Sequence, residues 1–196
     1  MDPRIQQQLD FLAEIDKMKL VLRQTLLMDG SRRENDAEHS WHLAAMALVL
    51  REYAADTVDL SRVLQMALVH DLIEIYAGDT FAFDEAGNRD KEQRERAAAD
   101  KLFGQLPGTQ GQELRALWEE FDAMETPDAG FAAACDRLQP FLHNTRTQGH
   151  TWRLGSVRRS QAYRRMDPVR WAMPALWPFV EEQIAQAVAQ GYLQED

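Results

Sequence analysis

The stretch LSRVLQMALVHDLIEIYAGDT, residues 60–80, decides how this chain folds and where its chemistry lies. Asp59 before it is a good helix cap, and the run from Leu60 to Tyr76 reads as one helix that Gly78 terminates. His70 and Asp71 stand at the end of the apolar part, between Leu68-Val69 and Leu72-Ile73. Glu74 and Asp79 follow. Charged groups are costly to bury unless they are paired or bind a metal. Either the helix turns a polar face to water here, or something cationic sits at this point.

Outward from that segment, almost everything reads helical. Residues 4–22 put Ile5, Leu9, Phe11, Leu12, Ile15, Met18, Leu20 and Val21 near one stripe. After the polar connection DGSRRENDAE, residues 29–38, a second helix is predicted from Asn35 or Asp36 to about Tyr53. Downstream, Asn88 is read as the cap of a charged helix, and QELRALWEEFDAM as an amphipathic one. Thr126-Pro127 and Asp167-Pro168 have the cap-then-proline form of helix starts. Pro140 is expected to kink or interrupt its helix, and Pro174 and Pro178 to bend or split the last one, which Gly191 ends. No strand is predicted. The expected fold is all-α, a single domain over residues 1–196 with about six to eight helices.

The chain has 196 residues, 45% of them hydrophobic and 28% charged, an ordinary globular balance with length enough for a real core. Its formal net charge of −10 opposes non-specific binding to nucleic acid or anionic membrane. Cys135 is the only cysteine, which excludes an intramolecular disulfide and a Cys-rich zinc site. The opening MDPRIQQQLDF lacks the regions of a secretory signal, and the apolar run LAAMALVL, residues 43–50, is too short to span a bilayer. A cytosolic (cytoplasmic) protein is expected.

Three predicted helices each carry a metal-capable group on an apolar background: His39 in ENDAEHSWHLAAM, His70-Asp71, and Asp136 in AAACDRLQPF. Two imidazoles and two carboxylates suit a divalent first-row ion, with waters completing its shell. Taken singly, each residue has a plainer reading. A lone buried histidine is more often a hydrogen-bonded core residue, and Asp136 could simply pair with Arg137. The ordered set is what carries weight, with about 30 residues from the first His to the His-Asp pair and about 65 more to the last Asp.

This pattern resembles the HD-domain metal-dependent phosphohydrolases, most closely the branch of bacterial 5′-deoxynucleotidases and their eukaryotic relatives. The resemblance runs from about Leu9 to Trp171 and rests on RRENDAEHSW (32–41), MALVHDLIEIYAGDT (66–80) and ELRALWEEFDAMETPDAGFAAACDRLQ (113–139). It implies metal ligation by His39, His70, Asp71 and Asp136, and catalytic roles for Glu74 and Asp79. It also implies substrate contacts by Arg23 and Arg32, with Gln24 standing where the deoxynucleotidases carry an aromatic side chain. The implied activity is hydrolysis of a small phosphomonoester, best guessed as a nucleoside 5′-monophosphate, by a homodimer.

Such chemistry needs a cation, because water is a poor nucleophile and phosphate is anionic. Two-metal HD enzymes need extra histidines, and none lies between Asp71 and Asp136, so one ion is expected: manganese, cobalt, iron, zinc or magnesium. His42 is read as packing or second to the ligands. His143 could point to the pocket but for Pro140, and His150 is assigned nothing. Arg158, Arg159, Arg164 and Arg165 read as a solvated or interface face, and Cys135 as a buried structural thiol. Two competing functions stand beside the leading one, a triphosphate or phosphodiester hydrolase and a non-catalytic metal- and nucleotide-binding protein.

Overall fold

The computed structural model describes residues 1–84 and 86–196. Helix α1 (Pro3–Ile15) starts at Asp2, whose side chain accepts from the Arg4 N–H at 2.8 Å. It is shorter than its apolar stripe predicts. A 3₁₀ segment (Asp16–Leu20) follows, and the chain then enters a strand. Strand β1 (Leu22–Leu26) pairs antiparallel with β2 (Arg33–Asn35), Leu22 opposite Asn35 and Leu26 opposite Arg33. This hairpin corrects the strand-free expectation. Its period-2 signal is short, and its turn hides in a polar run closed by Gly30 at a φ of 72°.

Helix α2 (Asp36–Leu50) begins where expected. Asn35 accepts from the Glu38 N–H at 2.9 Å, and the Glu38 carboxylate accepts from the Asn35 N–H at 3.2 Å, a reciprocal cap. Helix α3 (Leu60–Val69) is capped by Asp59 through the Ser61 N–H at 2.9 Å. It stops earlier than predicted. Past Val69 the ladder tightens to three-residue bonds, Leu72 N–H to Val69 at 3.1 Å and Glu74 N–H to Asp71 at 2.9 Å. One further turn, α4 (Glu74–Ala77), is closed by Gly78 at a φ of 77°.

Helices α5 (Lys91–Phe103) and α6 (Gln110–Ala123) lead into α7 (Pro127–Arg146), which Thr126 caps through the Ala129 N–H at 3.1 Å. α5 starts beyond Asp90 rather than at Asn88, whose side-chain amide instead donates to the Asp84 carbonyl at 2.6 Å. α7 runs through Pro140, which has no N–H to give the carbonyl of Asp136. Buried Leu138 and Gln139 before the proline, and Phe141 and Asn144 after it, hold both halves in place. The short α8 (His150–Leu154) precedes α9 (Arg159–Ala172). Asp167-Pro168 lies inside α9 and starts no helix, because buried Met166, Pro168 and Val169 anchor it. The predicted split of the last helix is present, as a 3₁₀ turn at Pro174–Leu176 before α10 (Trp177–Ala189).

The fold is therefore all-α but for the hairpin. α7 is its axis, packing against α9, α2, α3 and α6. Residues 129–135, AGFAAAC, are completely or almost completely buried, and their small side chains let α2 and α3 approach closely. Leu43, Val63, Met66 and Phe131 fill that junction with no exposed surface. No helix among the described residues is long and apolar enough to cross a membrane.

Candidate metal centre

The α2–α3–α7 junction brings together residues far apart in sequence. His39 comes from the second turn of α2, His70 and Asp71 from the tightened end of α3, and Asp136 from the middle of α7. All four are buried, His39 completely. His39 Nε2 lies 2.9 Å from Asp136 Oδ1 and 3.7 Å from Asp71 Oδ2. His70 Nε2 lies 3.1 Å from Asp71 Oδ2 and 3.8 Å from Asp136 Oδ1. Four donor atoms thus converge around one point.

A divalent ion fits this donor set. His70 Nδ1 lies 3.1 Å from the Ala67 carbonyl, which can only accept, so Nδ1 carries the proton and Nε2 presents its lone pair to the centre. His70 Nε2 is buried without a hydrogen-bond partner, a costly state that a cation would relieve. Negative charge is also in surplus. Asp36 and Glu74, with Asp71, form a second buried trio whose oxygens lie within 4.8 Å of one another. Arg23, from β1, is the guanidinium that meets them, at 2.9 Å from Asp71 Oδ2 and 3.4 Å from Asp36 Oδ1.

The titration directions follow from this crowding. With no ion bound, burial works against the Asp71 carboxylate, but the His70 ring in its protonated form and Arg23 outweigh it and hold its pKa below the usual range. Burial likewise opposes Asp136, where Arg137 and His39 prevail and hold it low. Burial and the Asp71 charge push Asp36 up to about 7 and raise Glu74 well above its ordinary value. Asp79 is raised too, first by burial and then by Asp71, with Arg23 pulling against them. Burial lowers the Arg23 pKa, but the surrounding carboxylates Asp71, Asp79 and Glu74 raise it further, so this arginine is always charged.

A cleft opens over the centre. Its walls include Arg23, Gln24 and Asp79, the aromatic side chains of Phe81, Trp118 and Phe141, and, from α9, Arg165. Of the residues expected at the site, His39, His70, Asp71, Asp136, Glu74, Asp79 and Arg23 are assembled there. Arg32 is not. Its side chain is 53% exposed and grips Glu38 at 2.5 and 2.9 Å on the surface. The hairpin turn carries it away from the cleft.

Sequence reasoning missed Glu34 and Asp36, both buried and both inside RRENDAEHSW, where polar residues before a helix look like caps and turn. Glu34 Oε2 lies 3.9 Å from His39 Nδ1, behind the metal-facing nitrogen. Its Oε1 accepts from the Gln139 amide at 2.5 Å. The same amide nitrogen lies 3.1 Å from His143 Nε2 and 3.3 Å from His42 Nδ1. His143 Nδ1 donates to the Leu26 carbonyl at 2.7 Å. His42 and His143 therefore belong to a polar network behind the centre that ties α2 and α7 to the hairpin.

These features define a helical protein built around a buried imidazole–carboxylate centre for a divalent cation. The family model described as HD domain matches residues 15–177, and the chain belongs to that family. It is similar to the 5′-deoxynucleotidase HDDC2 of Homo sapiens, 30% identical over 135 residues that cover 68% of this chain and 65% of that protein. The 5′-deoxynucleotidase hdd1 of Schizosaccharomyces pombe is 24% identical over 134 residues, 66% of each chain. The match thus spans just under two thirds of the length of these relatives. The crystal structure of a predicted metal-dependent phosphohydrolase from Magnetospirillum magnetotacticum MS-1 superposes with a TM-score of 0.92 at 51% identity, covering 97% of this chain and 95% of that one. The PH0347 protein from Pyrococcus horikoshii OT3, 20% identical with a TM-score of 0.61 over 93% of this chain and 99% of that one, shares the fold.

Proposed function

We propose that the chain, as one domain over residues 1–196, is a metal-dependent phosphohydrolase that cleaves nucleoside 5′-monophosphates. The observation that carries this reading is the convergence of His39, His70, Asp71 and Asp136 beneath a cleft lined by Asp79 and Arg23, with Glu74 buried against Asp71. The family and the 5′-deoxynucleotidase relatives support it.

One divalent ion, held by those four residues, would supply a nucleophilic water and neutralise charge on the phosphoryl oxygens. The remaining work falls to the chain. Glu74, packed against Asp36 and Asp71, holds a proton readily and is placed to orient water beside the ligands. Asp79, on the loop after Gly78, has a raised pKa and suits general acid catalysis, giving a proton to the leaving 5′-oxygen. Arg23 keeps Asp71 ionised and offers positive charge to the phosphate. Gln24 lines the cleft and takes part in sugar and base selection.

The enzyme is proposed to act in the cytoplasm, in line with its single, reduced cysteine, as a homodimer. Exposed Trp41, Leu48 and Val49 on α2 and Leu68 on α3 supply apolar surface for self-association. The test is phosphate release from ribo- and deoxynucleoside mono-, di- and triphosphates, with metal-stripped protein resupplied with each candidate ion. Ion-dependent release confined to monophosphates is expected. Turnover of triphosphates instead, or tight nucleotide binding with no turnover, would overturn this reading.

A further inference from the structure

Arg165 is the cation that the mechanism above leaves unused. It projects from α9 into the wall of the cleft and also borders a small adjoining hollow lined by Phe83 and Asn88. The other arginines of the centre already contact carboxylates. Arg23 has Asp71 and Asp36, and Arg137 is bonded to Asp136 Oδ2. Among the described residues, Arg165 pairs with no carboxylate and donates to no acceptor.

An unpaired guanidinium in a partly closed, aromatic-lined wall is expensive to keep. The expense shows in its titration: burial, and then the neighbouring Arg137 charge, push its pKa down to about 9. Asp136 and Asp71 act on it in the opposite sense, which puts Arg165 within electrostatic reach of the metal ligands. A planar five-donor cation in that position suits a tetrahedral oxyanion, which it can grip through two parallel hydrogen bonds.

We propose that Arg165 is a substrate-binding residue that takes the non-bridging phosphate oxygens from the α9 side of the cleft, with Arg23 acting from the hairpin side. This assignment rests on the phosphomonoester reading and adds a residue to it. Helix α9 brings one half of the anion site to a centre that α2, α3 and α7 build.

The test uses inorganic phosphate as probe, titrated calorimetrically into the manganese-loaded protein and its Arg165→Met and Arg165→Lys variants. Metal content and melting temperature without phosphate are measured alongside. Arg165→Met is expected to weaken phosphate binding by roughly tenfold to a hundredfold, the worth of a charge-assisted hydrogen bond. Arg165→Lys should recover part of the loss. Metal content should stay at the wild-type level, and the melting temperature should hold or rise, because an unpaired, partly buried charge has been removed. Unchanged phosphate affinity in Arg165→Met, or a fall in melting temperature with affinity intact, would overturn the proposal and make Arg165 structural. If the wild type binds phosphate through Arg165 yet hydrolyses no nucleotide, the activity reading falls and this one stands. If it hydrolyses nucleotides while Arg165→Met keeps the wild-type phosphate affinity and KM, only this one falls.

Discussion

His70 and Asp71 can face one ion because their side chains lean together at the end of α3, His70 Nε2 lying 3.1 Å from Asp71 Oδ2. Removing either should therefore empty the centre. His70→Ala and Asp71→Ala proteins are expected to fold but to carry well below one ion per chain by elemental analysis, with phosphate release reduced to background. Glu34 Oε2 lies 3.9 Å behind His39 Nδ1, and neither atom has a hydrogen-bond partner, so the carboxylate acts on the ring by charge and not by a direct bond. Glu34→Gln should weaken metal affinity by less than the roughly 10- to 100-fold of a hydrogen-bonded partner, read by competition with a chelating dye. The buried carboxyls also make the metal-free protein sensitive to pH. Burial raises Glu34 to about 7, and burial with Asp71 raises Asp36 to about 7. Unfolded carboxyls titrate near about 4, so the native metal-free chain holds protons that the unfolded chain has lost. Their contribution is full below about pH 4 and disappears as pH rises through about 7. Asp71 and Asp136, held low, act oppositely in stronger acid, and His39, His42 and His143, lowered by burial, act oppositely up to about pH 6.5. The melting temperature of stripped protein should thus fall as pH rises from about 6.5 to about 7.5, and saturating metal should abolish most of that slope. The four proposed ligands stood out in the sequence because each is a polar residue in an apolar run. Arg23 and Arg32 show the limit of that legibility. Both precede His39, but only a strand places one in the cleft, and spacing cannot tell which side of a hairpin turn points inward.

Elements with caps were read well, and elements shaped by tertiary packing were not. Asn35, Asp59 and Thr126 each accept from the backbone N–H that their chemistry predicts. Asn35→Ala should cost about 1 kcal/mol of stability in denaturant unfolding. It should also lower metal affinity, because His39 lies just one turn beyond that cap. The proline signal failed as a helix start at Pro168, where burial on both sides anchors the chain, and at Pro140 the helix is not interrupted despite the lost hydrogen bond. α1 was overestimated because its apolar stripe continues into a 3₁₀ segment that packs Met18 with only 5% exposure. α7 holds the assembly together, and its Phe131 is fully buried. Phe131→Ala should destabilise the protein by about 3–5 kcal/mol, measured by chemical unfolding, and should loosen metal binding with it, since Asp136 is one turn and a residue away on the same helix.

Over the whole molecule, the net charge of −10 and the local cations divide the work. The acidic surface disfavours polyanions, while Arg23 and Arg165, which both line the cleft, are proposed to admit a small anion at one place. Trp41, at 70% exposure, and Val49, at 72%, lie on the outer face of the same α2 helix that carries His39. Trp41→Glu is expected to convert the proposed dimer to a monomer in sedimentation velocity without stripping the metal, since His39 faces the opposite side. Composition and helical periodicity disclosed an all-α chain. They could not disclose that α9 closes the cleft, because that contact joins residues whose only link is three-dimensional packing. The central claim is that His39, His70, Asp71 and Asp136 together hold a single catalytic ion. It is tested most directly by anomalous diffraction from crystals of the manganese-loaded protein. The account predicts one peak per chain, in bonding contact with those four side chains. No peak there, or a peak held instead by Glu34, His42 and His143, would contradict it.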